Sequence, residues 1–403
     1  MGEVIKIELF VSQDIVTVFN ESENKKILLN KKNKRVYKIN SDLFEMIETI
    51  YLNRGIERSE FLNIYSDVSK ELNFLLDENI ISSVKQKNKY NVKRIKKLNT
   101  ARIFIECTNR CNLKCNHCYA NFSNYNRDYL SLEIIKKLLR ECVKLGVYEF
   151  DITGGEPMLH PDFKKILKLL DNYGMLTTIF SNLTITSDDN INLMKEVGIK
   201  TVITSIESYN DKIHDSYRGQ DGALKKTISS INKLIKNDIE VKVNLVLGMH
   251  NINDIEKTIE FIKSFNIDCN IDITSSEGRA KNLEIKYEVL TKKIKELVDN
   301  KNEDYNINLS NGCGVGKRML YVTSTGEITA CPSLRDNDFR YGNIYDEFSL
   351  KNCFLNSFLY FTNKKYKKKC DSTICNGGCR ARAFNENNDI MSEDILYCYL
   401  FKE

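Results

Sequence analysis

Three thiols fall within one short stretch, Cys111-Asn-Leu-Lys-Cys115-Asn-His-Cys118, at C-x3-C-x2-C spacing. Thiolates on so tight a loop can each take one iron of a cubane cluster and leave the fourth iron without a protein ligand. Zinc is the competing reading, but structural zinc closes its site with four ligands, commonly in C-x2-C pairs. His117 could supply a nitrogen, yet it lies between two of the thiols and would struggle to reach the same metal. Iron–sulfur therefore fits the spacing better. Cys107 precedes the loop and reads as a core or strand-end thiol, and Cys142 and Cys269 as buried hydrophobes within a helix and a strand.

A second constellation follows, Thr153-Gly154-Gly155-Glu156-Pro157. Paired glycines let backbone approach a ligand closely, and a fixed carboxylate can accept hydrogen bonds from an ammonium group. On its own the run could be a turn. One β–α unit after the cysteine loop, it is harder to dismiss. A third set gathers toward the carboxyl end: Cys313, Gly326-x4-Cys331, Cys370-x4-Cys375-x3-Cys379 and Cys398, with Asn376-Gly377-Gly378 supplying flexible turns.

These clusters account for most of the 13 cysteines. The amino-terminal residues show no export signal and no apolar run spans a bilayer, so the expectation is a cytoplasmic protein with reduced thiols, in which clustered cysteines mean metal rather than disulfides. A net charge of +5 over 403 residues is too small to argue for nucleic acid.

The elements that must position these residues fall into segments. Residues 1–84 read as a hairpin (Lys26–Leu29, Arg35–Ile39) followed by three short helices, Asp42–Leu52 with Ser41 or Asp42 as cap, Ser59–Tyr65 and Val68–Asp77, a winged-helix-like pattern. The basic stretch 85–99 reads as a linker or solvated helix. Residues 100–280 alternate strands (Arg102–Glu106, Glu149–Thr153, Leu176–Phe180, Thr201–Ser205, Val241–Leu247, Cys269–Ile273) with helices such as Leu132–Leu145, Asp162–Asp171, Leu224–Ile235 and Asp254–Phe265. Repeated β–α units imply an α/β fold with a parallel sheet and ligands at the carboxyl strand ends. Residues 281–403 begin with a helix and then become irregular and rich in Cys and Gly.

Together the cysteine loop, Gly154–Pro157 and the β/α repeat resemble the radical S-adenosylmethionine (SAM) superfamily, whose fold is a partial (β/α)6 barrel. The resemblance implies that Cys111, Cys115 and Cys118 ligate a [4Fe–4S] cluster whose open iron chelates S-adenosyl-L-methionine. It places Gly154, Gly155 and Glu156 at the methionyl ammonium, His117 near adenine, and Ser181 and Asn182 near the sugar. Ser205 and Glu207 are similar to the family's Ser-x-Asp, and Arg218 is a candidate partner for the methionyl carboxylate. The implied chemistry is reductive cleavage of the sulfonium to a 5′-deoxyadenosyl radical that abstracts hydrogen, with no side chain needed as a general base.

The carboxyl-terminal cysteines resemble a SPASM domain, which carries auxiliary iron–sulfur clusters. By that resemblance Cys313, Cys331 and Cys379 serve one cluster and Cys370, Cys375 and Cys398 another, each one ligand short; one auxiliary cluster remains an alternative, with two favoured. Lys367 stands where the complete pattern has a cysteine, and Cys353 is a candidate replacement ligand. The amino-terminal pattern resembles the recognition element that binds leader peptides in ribosomal peptide modification. The competing reading of that segment is a DNA-binding winged helix, but over residues 1–100 the balance is 18 Lys and Arg against 14 Asp and Glu, 18 − 14 = +4, modest for DNA.

The expected activity is that of a precursor-peptide maturase, similar to sactisynthases and ranthipeptide thioether synthases, forming a thioether or carbon–carbon crosslink. Its expected partners are a precursor peptide with leader and a reductant such as flavodoxin or ferredoxin, with neither nucleic acid nor membrane. The alternatives are a maturase of a whole protein, sulfatase-maturase-like, and a non-enzymatic iron–sulfur regulator that binds DNA.

Overall fold

The computed structural model describes residues 7–12, 15–20, 25–30, 35–85, 91–95, 102–299, 306–307, 315–316, 318–362 and 378–400. The chain divides into two compact units: Met1–Thr100 with Leu139–Tyr148 and Leu170–Leu176, and Ala101–Leu138 with Glu149–Leu169 and Thr177–Glu403.

In the first unit, strands Ile15–Asn20, Lys25–Asn30 and Arg35–Ile39 form an antiparallel meander. The short strand Glu8–Val11 pairs antiparallel with both Ile56–Glu57 and Ile81–Ser82. Helices Ser41–Leu52, Arg58–Ile64 and Ser69–Asp77 follow. Their apolar faces meet Ile15 and Leu28 through Ile47, Ile50, Phe61, Leu72 and Leu75, all fully or almost fully buried. The first helix is capped by Asn40, whose side chain accepts the Leu43 N–H at 2.9 Å, rather than by Ser41 or Asp42, which already lie in the helix. Glu78, just past the third helix, accepts from Arg35 at 3.0 Å and from the Tyr37 hydroxyl at 2.5 Å, tying that helix end to the hairpin.

One expectation is corrected here. Within the basic stretch, Asn91–Ile95 is neither linker nor helix but a strand paired in parallel with Ile15–Asn20. Pairing uses backbone groups that every non-proline residue carries, so a polar, aperiodic segment can occupy a sheet edge without announcing itself in hydropathy.

Among the described residues the second unit contains a ten-stranded sheet. Six strands lie side by side in chain order: Arg102–Thr108, Glu149–Gly154, Leu176–Phe180, Thr201–Ser205, Val241–Leu247 and Asp268–Ile273. Helices separate them in sequence, which is the βαβ arrangement that parallel neighbours require. Asn306–Ile307 extends one edge. At the other, Met319–Val322 runs parallel to Arg102–Thr108, followed by antiparallel Glu327–Thr329 and Arg340–Asn343. Ile103, Ile105, Phe150, Ile152, Ile179, Val202, Val243, Leu245 and Leu247 are wholly buried. This is the expected α/β architecture, a large parallel sheet with a carboxyl-terminal extension. The carboxyl ends of the six strands lead into the loops that hold the candidate site.

Candidate functional site

The loop after the first strand is gripped by main chain from elsewhere. The Lys114 N–H donates to the Arg218 carbonyl at 3.3 Å and the Asn116 N–H to that of Tyr217 at 2.9 Å. Arg279 donates from Nε to the Cys115 carbonyl at 2.7 Å and from Nη1 to the Phe122 carbonyl at 2.9 Å, while its own N–H meets the Cys118 carbonyl at 2.9 Å. Gly155 and Glu156 donate their N–H groups to the carbonyls of Thr108 and Arg110, both at 2.8 Å. A Cβ on Gly154 would stand 2.3 Å from the Thr108 carbonyl oxygen, and one on Gly155 2.2 Å from that of Arg110. Both glycines are thus needed for the loop to close against the second strand, whatever they contact besides.

Cys111, Cys115 and Cys118 line one cavity of about 270 Å³ together with Gly154, Gly155, Ser181, Asn182, Ser205, Arg218, Arg279 and His117. Nearly every residue carried over from the resemblance therefore meets in one place. Glu156 is fully buried and turned inward: its carboxylate accepts from the Ser181 hydroxyl at 2.9 Å and the Asn182 N–H at 2.8 Å. It orients the end of the third strand as well as the glycine loop.

Glu207 is absent from the cavity wall and stands behind Arg218, with which it pairs at 3.2 Å. The structure thus brings Arg218, not Glu207, to the cavity. Burial pushes the Glu207 carboxyl up to about 7, with Arg218 pulling it back. Three of the four histidines gather round this carboxylate. His117 Nε2 lies 3.6 Å and His250 Nε2 3.9 Å from its oxygens, and the Glu207 N–H donates to His214 Nδ1 at 3.2 Å. The Tyr217 ring is stacked between those of His117 and His250, at 4.9 and 3.5 Å. Burial holds all three imidazoles below their usual range, His214 at about 3 and His250 at about 4, so they are neutral near pH 7.

The three thiols suit an iron–sulfur cluster. Burial pushes Cys111 up to about 12 and Cys115 upward as well, and Arg218 is the cation that opposes it at Cys115 most strongly. Thiols so disposed ionise when a metal supplies the missing positive charge. Among the described residues no group of three or more His, Cys, Asp or Glu side chains converges on a single ion. A cluster instead gives each thiolate its own iron, which a ring of sulfurs round a cavity can provide.

A second chamber of about 410 Å³ shares His117, Tyr119, Thr153, Phe180, Asn244, Val246 and Asp272 with the first. Its remaining wall includes Phe104, Glu277, Tyr321, Arg382 and Tyr397. Tyr119 and Tyr321 touch through their hydroxyls at 3.0 Å, and Tyr321 donates to buried Glu106 at 2.8 Å. Arg335 pairs with that carboxylate at 2.6 Å and lies over both tyrosine rings. Sequence reasoning missed this wall. The one available signal was position, since Asn244, Val246 and Asp272 lie in the last two barrel strands and Thr274 follows the sixth.

In the carboxyl-terminal region, Cys331 is buried in an apolar cluster against which Cys379 packs. Cys379 caps the helix Arg380–Asn387 and Cys398 lies in the helix Ile395–Leu400. The buried Cys353 thiol donates to the Tyr341 carbonyl at 3.4 Å. Cys313, Cys370 and Cys375 lie outside the described residues. Cys107 is fully buried in the first strand, as expected for a core thiol.

Comparison with known proteins bears on the family and the fold. Residues 105–262 match the Radical SAM superfamily. The antilisterial bacteriocin subtilosin biosynthesis protein AlbA of Bacillus subtilis (strain 168) is 27% identical over 308 residues, covering 70% of this chain and 68% of that protein. An AdoMet-dependent heme synthase of Nitratidesulfovibrio vulgaris is 25% identical over 345 residues, covering 73% of this chain and 91% of the other. Among solved structures, Streptococcus suis SuiB bound to precursor peptide SuiA superposes with a TM-score of 0.65 at 17% identity, covering 96% of this chain and 98% of that one.

Proposed function

Taking as premise that the chain is a radical SAM enzyme, with its radical SAM domain at residues 105–262, we propose that it installs a crosslink, thioether or carbon–carbon, in a ribosomally made precursor peptide. The observation that carries this reading is the wall shared by two chambers, one lined by three thiols and the other large enough for a substrate side chain. The similarity to a bacteriocin biosynthesis protein supports a peptide as substrate.

In this reading Cys111, Cys115 and Cys118 would hold a [4Fe–4S] cluster, and S-adenosyl-L-methionine would lie against Gly154, Gly155, Ser181, Asn182, Ser205, His117 and Arg218, with the buried Glu156 carboxylate set behind Ser181 and Asn182 rather than on the cavity wall. The bound pair supplies hydrogen abstraction from an unactivated carbon. The chain's own residues bind, orient and exclude. Arg218, fixed by Glu207, offers a guanidinium to a carboxylate. Glu156 fixes Ser181 and the Asn182 backbone, so the polar groups of that strand end are set before anything binds. Phe104, Phe180, Tyr119 and Tyr321 put aromatic surface round the reacting position and keep water from it.

Beyond the barrel, Cys313, Cys331 and Cys379 would hold one auxiliary cluster and Cys370, Cys375 and Cys398 a second. Packing of Cys331 and Cys379 in one apolar cluster supports their sharing a site. Residues 1–84 would take the leader as an added strand beside Arg35–Ile39, which among the described residues has a sheet neighbour on one side only. Flavodoxin or ferredoxin would supply electrons.

A second reading draws on the likeness to heme synthases along most of their length, and would put a tetrapyrrole in the larger chamber. One experiment separates the two. Reconstituted enzyme is given S-adenosylmethionine, a reductant and candidate precursor peptides, taken from any short reading frames beside its gene. The expected result is 5′-deoxyadenosine together with a peptide lighter by two hydrogens. Replacing Cys111, Cys115 and Cys118 with Ala should abolish both and remove the iron of that loop. Deoxyadenosine release with an unaltered peptide would overturn the crosslinking reading, and turnover of a tetrapyrrole would select the second.

A further inference from the structure

The cysteine loop lies in a stretch of one-sided charge. Residues 107–127 carry Arg110, Lys114 and Arg127 and no aspartate or glutamate, in a chain whose 60 Lys and Arg nearly balance 55 Asp and Glu. Lys114 and Asn116 are both exposed, on either side of Cys115, so the loop meets solvent beside that residue while its thiol faces the cavity. The two arginines are bound to amide and carbonyl oxygens rather than to carboxylates. Arg110 donates from Nε to the Asn124 side chain at 3.1 Å. Arg127 donates from Nη1 to the carbonyls of Asn124 and Asn126, at 2.6 and 2.8 Å. Neither guanidinium spends these bonds on a carboxylate, and the acidic residue next in the chain, Asp128, is exposed beside Arg127.

Those same bonds fix the backbone on both sides of Tyr125, whose ring is 86% exposed, more than any other exposed large hydrophobic residue described. An aromatic side chain held out on a braced turn costs hydration and contributes nothing to the fold's interior. Tyrosine and arginine are enriched where proteins dock, and a buried tyrosine is a common anchor of such contacts.

We propose that this face, Arg110, Lys114, Arg127 and Tyr125, is the docking surface for an acidic one-electron carrier protein. The proposal rests on the reading that Cys111, Cys115 and Cys118 hold a redox cluster, and adds where and by what chemistry the electron arrives. One electron passes from the reduced carrier to the oxidised cluster; no bond forms and no proton moves. Opposite charge steers the encounter and sets its salt dependence, and the tyrosine supplies the apolar contact that prolongs it. Lys114 and Asn116 are the exposed residues of this loop, so a carrier docked there lies beside Cys115 without the thiol itself meeting solvent.

The test uses the reconstituted full chain and flavodoxin as the carrier, with two variants, Lys114→Glu/Arg127→Glu and Tyr125→Ala. Affinity for oxidised flavodoxin is measured by calorimetry at low and high salt, which needs no turnover. The rate of cluster bleaching is then measured with reduced flavodoxin and with photoreduced 5-deazaflavin, a small uncharged donor. The charge-reversal variant should bind flavodoxin about tenfold or more weakly at low salt and lose most of its salt dependence. Tyr125→Ala should weaken binding at both salt concentrations. Bleaching by flavodoxin should slow in step with binding, while bleaching by deazaflavin stays at the wild-type rate. Unchanged flavodoxin binding in both variants, equal slowing with both donors, or a wild-type chain that deazaflavin reduces but flavodoxin does not bind would each overturn the docking surface alone. A wild-type chain without reducible iron on the 111–118 loop would instead overturn the cofactor reading beneath it.

Discussion

The loop carrying Cys111, Cys115 and Cys118 is held mainly by main-chain contacts, with Arg279 the side chain that joins them, whereas the Cys379 end of the carboxyl-terminal region is tied by one buried carboxylate. In the first, carbonyls of Tyr217, Arg218, Thr108 and Arg110 and the closely approaching Gly154 and Gly155 form a frame. In the second, the Asp394 carboxylate accepts the Cys379 N–H at 2.7 Å and Arg382 at 3.0 and 3.2 Å, while the Cys398 N–H goes to the Asp394 main-chain carbonyl at 2.9 Å, a bond that any residue there would keep. A frame built mostly of backbone survives most side-chain changes and fails chiefly where a new atom cannot fit. A side-chain hub fails when its one residue is replaced.

The hub should give the largest effect. Asp394→Ala strands the Arg382 guanidinium, whose side chain is 11% exposed, and leaving such a charge without its partner costs about 3–5 kcal/mol. Urea unfolding should register that loss, and the iron lost on purification should come from the carboxyl-terminal cysteines while the 111–118 loop keeps its share. Equal loss from both regions would break the contrast.

In the frame, Gly155→Ala puts a Cβ 2.2 Å from the Arg110 carbonyl oxygen and 2.9 Å from Cys111 Cβ. Forcing the loop aside should cost about 1–3 kcal/mol and lower the iron held at Cys111, Cys115 and Cys118; a wild-type iron content would show that the frame yields more readily than its contacts imply.

Glu207 sharpens the comparison through pH. Its folded value is about 7 against an ordinary 4.5, so between those values the folded chain binds a proton that the unfolded chain does not. This carboxyl's contribution to stability therefore falls as pH rises from about 4.5 to about 7. Glu207→Gln should flatten that decline, which denaturation midpoints across the same pH range would reveal.

The smallest effect is expected at Cys107, buried in the first strand. Cys107→Ala should cost about 1 kcal/mol and leave iron content unchanged; iron loss there would add a thiol to the first region.

Much of the barrel was legible. Thr201–Ser205, Val241–Leu247 and Leu132–Leu145 have the bounds their patterns imply, the second because buried and half-buried residues alternate along it. Helix Asp211–Arg218 was not legible, since its sequence is polar and its buried face is His214, Tyr217 and Arg218. No hydrophobic period marks a helix that packs through such residues. Asn91–Ile95 escaped for a related reason, as an edge strand asks little of its side chains.

Sequence by itself determined the cysteine loop, the glycine run behind it and the β–α order that sets both at carboxyl strand ends. Each depends on spacing within a few residues or on a period repeated along the chain, and such features are written locally. Only tertiary structure decided that Glu207 stands behind Arg218 instead of facing the cavity, and that Glu106 meets Arg335 across 229 residues. It alone joined the two chambers along one wall. Burial makes such pairings: a charge taken from water needs a partner, and which partner is nearest depends on how the whole sheet closes, not on any stretch of chain.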